Sequence, residues 1–225
     1  MSRDVGTYGG DPQRILPTLS DTIVFSTYDE DYGIVPEPVP SSETVPDWVD
    51  DIDVDDGIRA AIDEGWLIRT PASVQINTDG GISSYDLFHR STIGTHGLWQ
   101  VGELSLPIDI VKFMSYWNVR LPDGYSALLT HPINRPNEIF TSFSGCVDFD
   151  VFPTFTHAPS VIREKGLFEV QGGTPIFQCI PFKRDDMIRT AVVREATEDE
   201  LDELETPTEI ETELPDTSVD VQQIY

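Results

Sequence analysis

Short apolar runs separated by Gly, Pro, Asn and Asp dominate the chain, and one segment breaks that texture with helical spacing. Over Val54–Glu64, Ile58, Ala61 and Ile62 fall on one face, Asp55 or Asp56 can cap the start, and Gly65 can end the run. The spacing predicts a helix there. Beyond it, residues rich in β-branched and aromatic types predict strands at Trp66–Thr70, Ser73–Asn77, Ser83–Phe88, Gly97–Val101, Tyr116–Leu121 and Tyr125–His131. Further strands are expected at Ile139–Phe143, Cys146–Phe149, Leu167–Val170 and Ile176–Phe182, with a short one upstream at Thr22–Tyr28. Strands this short and this evenly spaced predict a mainly β fold: a single sandwich or distorted barrel with one or two short helices.

The flanks read differently. Residues 1–22 are rich in Gly, Pro and Asp, and Pro36, Pro38, Pro40 and Pro46 stand among acids. Residues 1–54 are therefore expected as an extended N-terminal arm and linker. Residues 55–186 form the expected β-rich core domain, and 187–225 an acidic C-terminal extension. From Asp185 onward only Arg189 and Arg194 oppose 14 acids. Thr197 and Glu200 have the spacing of a capping box, which opens a short helix through Glu205. Past that helix the Thr/Pro/Glu-rich tail has too few apolar residues to bury a surface by itself.

Charge changes the picture more than any motif. The 225 residues hold 40 Asp and Glu against 14 Lys and Arg, a formal net charge of −26. The lysines number three, Lys112, Lys165 and Lys183, so arginine supplies most of the positive charge. Short hydrated carboxylates in place of long lysine stems suit concentrated salt, where self-repulsion is screened over about 3 Å. The chain is expected to be a halophilic protein, acting in a virion or in host cytoplasm at high salt. Such a field repels phosphates, and no basic patch offsets it, so no direct nucleic-acid contact is expected. No run of 18 apolar residues predicts a membrane span, and the first residues lack the apolar stretch of a signal peptide. Cys146 and Cys179 each sit in an apolar run and are expected as two buried thiols, neither bridged nor metal-bound.

The most motif-like segment is Gly145-Cys-Val-Asp-Phe-Asp150, followed by Gly172-Gly-Thr-Pro-Ile-Phe-Gln178. It resembles the dUTPase and dCTP-deaminase superfamily over roughly residues 120–184. The resemblance implies that Asp148 stands at the water-orienting carboxylate and Gln178 at the glutamine of the later strand, with Mg²⁺ as cofactor if catalysis is retained. Val151 replaces the family's tyrosine, and Phe152-Pro153-Thr154 replaces its Arg-Gly-Glu. His131-Pro-Ile-Asn-Arg135 stands where the family has an Arg-Ser phosphate-binding pair, and an acidic tail stands in place of the Gly-rich phosphate loop. A triphosphate needs donors and cations around its charge, and carboxylates surround this segment instead.

A longer order of motifs, from Gly65-Trp66 through Tyr116-Trp117, Leu121-Pro-Asp-Gly124, His131-Pro-Ile-Asn-Arg-Pro136 and Gly145–Asp150 to Gly173–Arg184, resembles an uncharacterised family of tailed phages and some bacteria. It spans roughly residues 58–186 and implies a viral setting, here a virus of haloarchaea.

Other chemistry is sparse. His89, His96, His131 and His157 lack metal-ligand spacing. No nucleophile elbow, Walker loop or dinucleotide fingerprint occurs. Asp148 and Asp150 would share a face of an extended strand and are the best local cation pair. Trp117 and Arg120, with Asp150, are candidates for a ligand-binding surface. The expectation for function is a non-enzymatic structural or interaction protein of a tailed-virus particle (capsid, decoration or tail), free of cofactors, whose partners are neighbouring subunits of its own kind or other virion proteins. The alternatives are a dUTPase-like nucleotide hydrolase using Mg²⁺ and Asp148, and a small-ligand-binding module.

Overall fold

The computed structural model describes residues 21–50, 53–79, 83–86, 88–95 and 110–205. Residues 1–20, the strand expected at Gly97–Val101, His96 and the tail beyond Glu205 lie outside them. The chain divides into two units, Met1–Met187 and Ile188–Tyr225.

The first unit is mainly β, in three antiparallel sheets with no closed barrel. The first sheet is organised by β7 (Ile110–Arg120), whose burial alternates along its whole length: Val111, Phe113, Ser115, Trp117 and Val119 point inward. On one edge it pairs with β6 (Ile93–Thr95) and then β1 (Val24–Ser26), and on the other with β11 (Thr154–Ile162), which carries β9 (Phe140–Ser142). The second sheet runs β10 (Gly145–Val147), β8 (Tyr125–Thr130), β13 (Pro175–Lys183), β3 (Trp66–Arg69) and β2 (Val39–Pro40). The third is β12 (Leu167–Val170), β4 (Val74–Asn77) and β5 (Ser83–Asp86). One apolar core joins all three, with Phe113, Phe140, Phe149, Phe177, Ile68 and Ile76 among its fully buried members.

Two long strands depart from the expected pattern. β7 starts six residues before the predicted Tyr116, although its Val-Lys-Phe-Met-Ser-Tyr-Trp alternation is regular. β11 was not expected at all, because its inward positions include hydroxyls: Thr156 and Ser160 are buried in it beside Ala158 and Ile162. Where β7 and β11 lose register, Tyr116 takes φ +60°, and hydroxyls repair the broken ladder. Ser115 Oγ donates to the Thr156 carbonyl at 2.9 Å, and Thr156 Oγ1 donates to the Trp117 carbonyl at 3.0 Å.

The segment expected as an outlying arm and linker contributes to the body as well. It supplies β1, β2 and a short helix, α1 (Asp47–Asp50), and it buries Asp31, Val35, Ser41 and Val49. The expected helix is present as α2 (Asp56–Asp63), with Asp55 accepting from the Gly57 N–H as its cap. Ile62 is buried, while Ile58 on the same face is partly exposed. In the second unit, α3 (Glu198–Glu205) opens on the expected capping box: Thr197 N–H donates to Glu200 at 2.8 Å, and the Glu200 N–H donates back to Thr197 Oγ1 at 3.3 Å. Arg194 grips the same carboxylate with both terminal nitrogens at 2.7 Å, holding Glu200 at a pKa of about 2.

Candidate functional site: the Asp148–Asp150 turn

The turn after β10 is built around Phe149, a fully buried core residue that anchors the two flanking aspartates. The chain does not stay extended there. Val151 and Phe152 N–H both donate to the Asp148 carbonyl, closing a tight turn. Asp150 tucks under it with 5% of its side chain exposed, whereas Asp148 is 60% exposed.

What brings the two aspartates together is Arg184, the first base after the last strand. Its Nη2 donates to Asp150 Oδ2 at 2.5 Å and its Nη1 to Asp150 Oδ1 at 3.0 Å, a two-point grip. The same Nη1 donates to the Tyr125 carbonyl and to Ser126 Oγ, and lies 3.5 Å from Asp148 Oδ1. Asp150 also accepts from the Gly124 and Val151 N–H groups, and Asp148 accepts from Ser126 Oγ. The Arg184 hydrogen bonds, helped by the Gly124 N–H and offset in part by burial, hold the Asp150 carboxyl far below the usual carboxylate range. Asp150 is therefore ionised, and its charge faces a guanidinium. A divalent cation would have to displace Arg184 to reach the pair, so these residues do not fit a Mg²⁺ site. Among the described residues no three His, Cys, Asp or Glu side chains gather as a metal-binding group.

Gln178 lies in the core of β13, fully buried, and all its polar capacity is used internally. Its Oε1 accepts from the Ile133 N–H at 2.9 Å, while its Nε2 donates to the Ala61 and Glu64 carbonyls at the end of α2. The amide caps a helix and fastens a turn, which leaves it no free donor for a base. Trp117 and Arg120 do not converge: Trp117 points into the core with its Nε1 donating to the Pro36 carbonyl, and Arg120 lies three positions on, facing the other way. Of the two thiols expected as buried, Cys179 is so, and burial pushes its pKa up to about 12. Cys146 is exposed, on the edge strand β10.

Arg184 escaped the sequence reading. The available signal was the Lys183-Arg184 pair of bases placed directly before an acidic run.

No family model matches the chain, and no curated protein matches it. Among solved structures it is similar to a mutant of the Staphylococcus bacteriophage 80alpha dUTPase, at 11% identity and a TM-score of 0.43, covering 80% of this chain and 98% of that one. It is also similar to the dUTPase from phage phi11 of S. aureus, at 12% identity and a TM-score of 0.42, covering 79% and 97%. Likeness at this level carries no argument about activity.

Proposed function

We propose that this chain is a non-enzymatic interaction protein, a structural component of a tailed-virus particle that works in concentrated salt. One observation carries the non-enzymatic part. The side chains that a nucleotide hydrolase of the resembled superfamily would need, Asp148 and Gln178, are engaged in bonds that hold the body together. The interaction part draws on the segment beyond β13. Ile188 and Val193 are 91% and 96% exposed in a stretch without regular structure, and Val192 is nearly as bare. Apolar side chains left in water along an extended segment gain about 25 cal/mol for each Å² covered by a partner. The viral setting draws on an order of motifs that resembles tailed-phage proteins, and the salt adaptation on a net charge of −26.

Quantitative peptide mass spectrometry on density-purified particles tests this reading. A fixed, high copy number per particle is expected. Abundance in infected cells with absence from particles would refute it.

The second reading, a dUTPase-like hydrolase, keeps one observation in its favour: Asp148 is the exposed member of the pair. It predicts deoxynucleoside triphosphate hydrolysis with Mg²⁺ at molar KCl that is lost in Asp148→Asn. No turnover of any deoxynucleoside triphosphate under those conditions removes it.

A further inference from the structure

In a chain with 14 Lys and Arg against 40 acids, an arginine without a carboxylate partner is out of place. Two such arginines line one cavity. Arg135 spends its terminal nitrogens on neutral groups, the Thr44 and Ser41 carbonyls and Ser41 Oγ, and its buried Nε has no acceptor. The Arg163 side chain makes one hydrogen bond among the described residues, from Nε to Thr141 Oγ1 at 3.1 Å. Among the described residues no carboxylate lies within ion-pair distance of either guanidinium, although the Asp63 charge acts on Arg135 from farther away.

The cavity, of about 420 Å³, is walled by Trp48, His131, Asn134, Arg135, Pro136 and Arg163, and no acidic side chain lines it. It is a shallow, open cleft whose volume falls in the range of small-molecule sites, roughly 300–1,000 Å³. The flat wall is held in place: Trp48 Nε1 donates to the Asn134 carbonyl at 3.1 Å, and Asn134 takes φ +54° in a turn closed by the Arg135 N–H on the Pro132 carbonyl. His131 completes the lining. Its Nδ1 accepts from the Ser142 N–H at 3.2 Å, which leaves the ring proton on Nε2. Burial, with the Arg163 charge adding to it and the Arg135 backbone opposing, lowers the pKa, so the ring is neutral near pH 7. Arg163 also borders a larger neighbouring cavity of about 960 Å³ that contains Glu138 and Glu164, so the acid-free region is confined to the Trp48 side.

We infer that this cavity binds a small organic oxyanion carried on a flat ring, with the ring against Trp48 and Pro136 and the anion on Arg163 and Arg135. Phosphate and carboxylate share the chemistry a guanidinium recognises. A ring held on an indole adds apolar contact and stacking to that charge. The surrounding negative field makes such a pocket selective: an anion enters only where two guanidinium groups converge without a carboxylate in direct contact.

Isothermal titration of the full chain at fixed KCl tests the inference, with phenyl phosphate, benzoate and neutral benzyl alcohol as probes. At least one of the two anions should bind saturably with one site per chain, and the tighter of them identifies the anion class; benzyl alcohol should give no heat of binding. Arg163→Gln, at an exposed residue whose loss leaves the fold intact, should weaken binding about ten- to a hundredfold, with an unchanged melting temperature. Arg120→Gln, elsewhere on the body, should leave it unchanged. Absence of saturable binding by both anions, equal affinity in Arg163→Gln, or an equal loss in Arg120→Gln would each overturn the assignment.

Discussion

At the scale of single residues, the Asp150–Arg184 pair is the feature with the largest energetic consequence. Asp150 is 5% and Arg184 29% exposed, so water screens the interaction little. Removing one partner leaves the other's charge uncompensated. Arg184→Gln should therefore lower the melting temperature measurably, while the double change with Asp150→Asn should recover part of the loss. The pH dependence has a definite sign. The folded pKa of Asp150 is lowered, so its contribution is complete above the unfolded carboxylate value near ~4 and is lost as the pH falls below it. The chain carries 39 further acids, so the pH dependence of overall stability does not isolate this one. The measurable quantity is thus the stability difference between wild type and Asp150→Asn in urea melts. That difference should shrink between pH 5 and pH 3; a constant difference would mean that the pair contributes nothing through charge.

At the scale of elements, α2 is held to β13 by contacts that only two residues permit. Gly65 follows the helix at φ +68°, and a Cβ there would sit 2.2 Å from the Cys179 carbonyl oxygen. Gln178, one residue before Cys179, reaches across to the carbonyls that end α2. Gln178→Ala should cost about 3 kcal/mol by leaving buried backbone groups unpaired, and Gly65→Ala should cost at least as much through strain and clash. If Gln178→Ala melts within a degree of wild type, the amide does not hold the helix. These contacts also show how far the sequence could be read. Helical spacing located α2, and the Thr197–Glu200 box located α3, because both signals are local. The glutamine was legible as a motif position, but not as a helix clamp, since its partners lie over 40 and over 110 residues away. β11 was missed for a similar reason. Thr156 and Ser160 look like surface positions until Ser115 and Ser142 from other strands meet them as hydrogen-bond partners. Asp148 and Asp150 would share a face only on an extended strand; the turn and Arg184 are what join them.

At the scale of the whole molecule, a formal net charge of −26 predicts that stability depends on salt. The described ion pairs engage only a few of the 40 acids, and the bases are too few to match the rest. At about 0.1 M salt the screening length is ~10 Å, long enough for each carboxylate to feel several others, and near 1 M it falls to ~3 Å. Repulsion among them works against the compact state more than against the expanded chain. The melting temperature should therefore climb steeply from ~0.1 M to ~1 M KCl, the interval over which the screening length collapses, and more gently beyond it. The same argument fixes a control. Near pH 4.5 many carboxylates are part-protonated, so less repulsion remains for salt to screen and the climb should flatten. Calorimetry across both variables separates this mechanism from a general salting-out effect, which would persist at the lower pH. A melting temperature that is insensitive to KCl, or highest in dilute buffer, would show that the acidic surface is solvated without strain. It would also remove the physical reason for assigning the chain to concentrated salt.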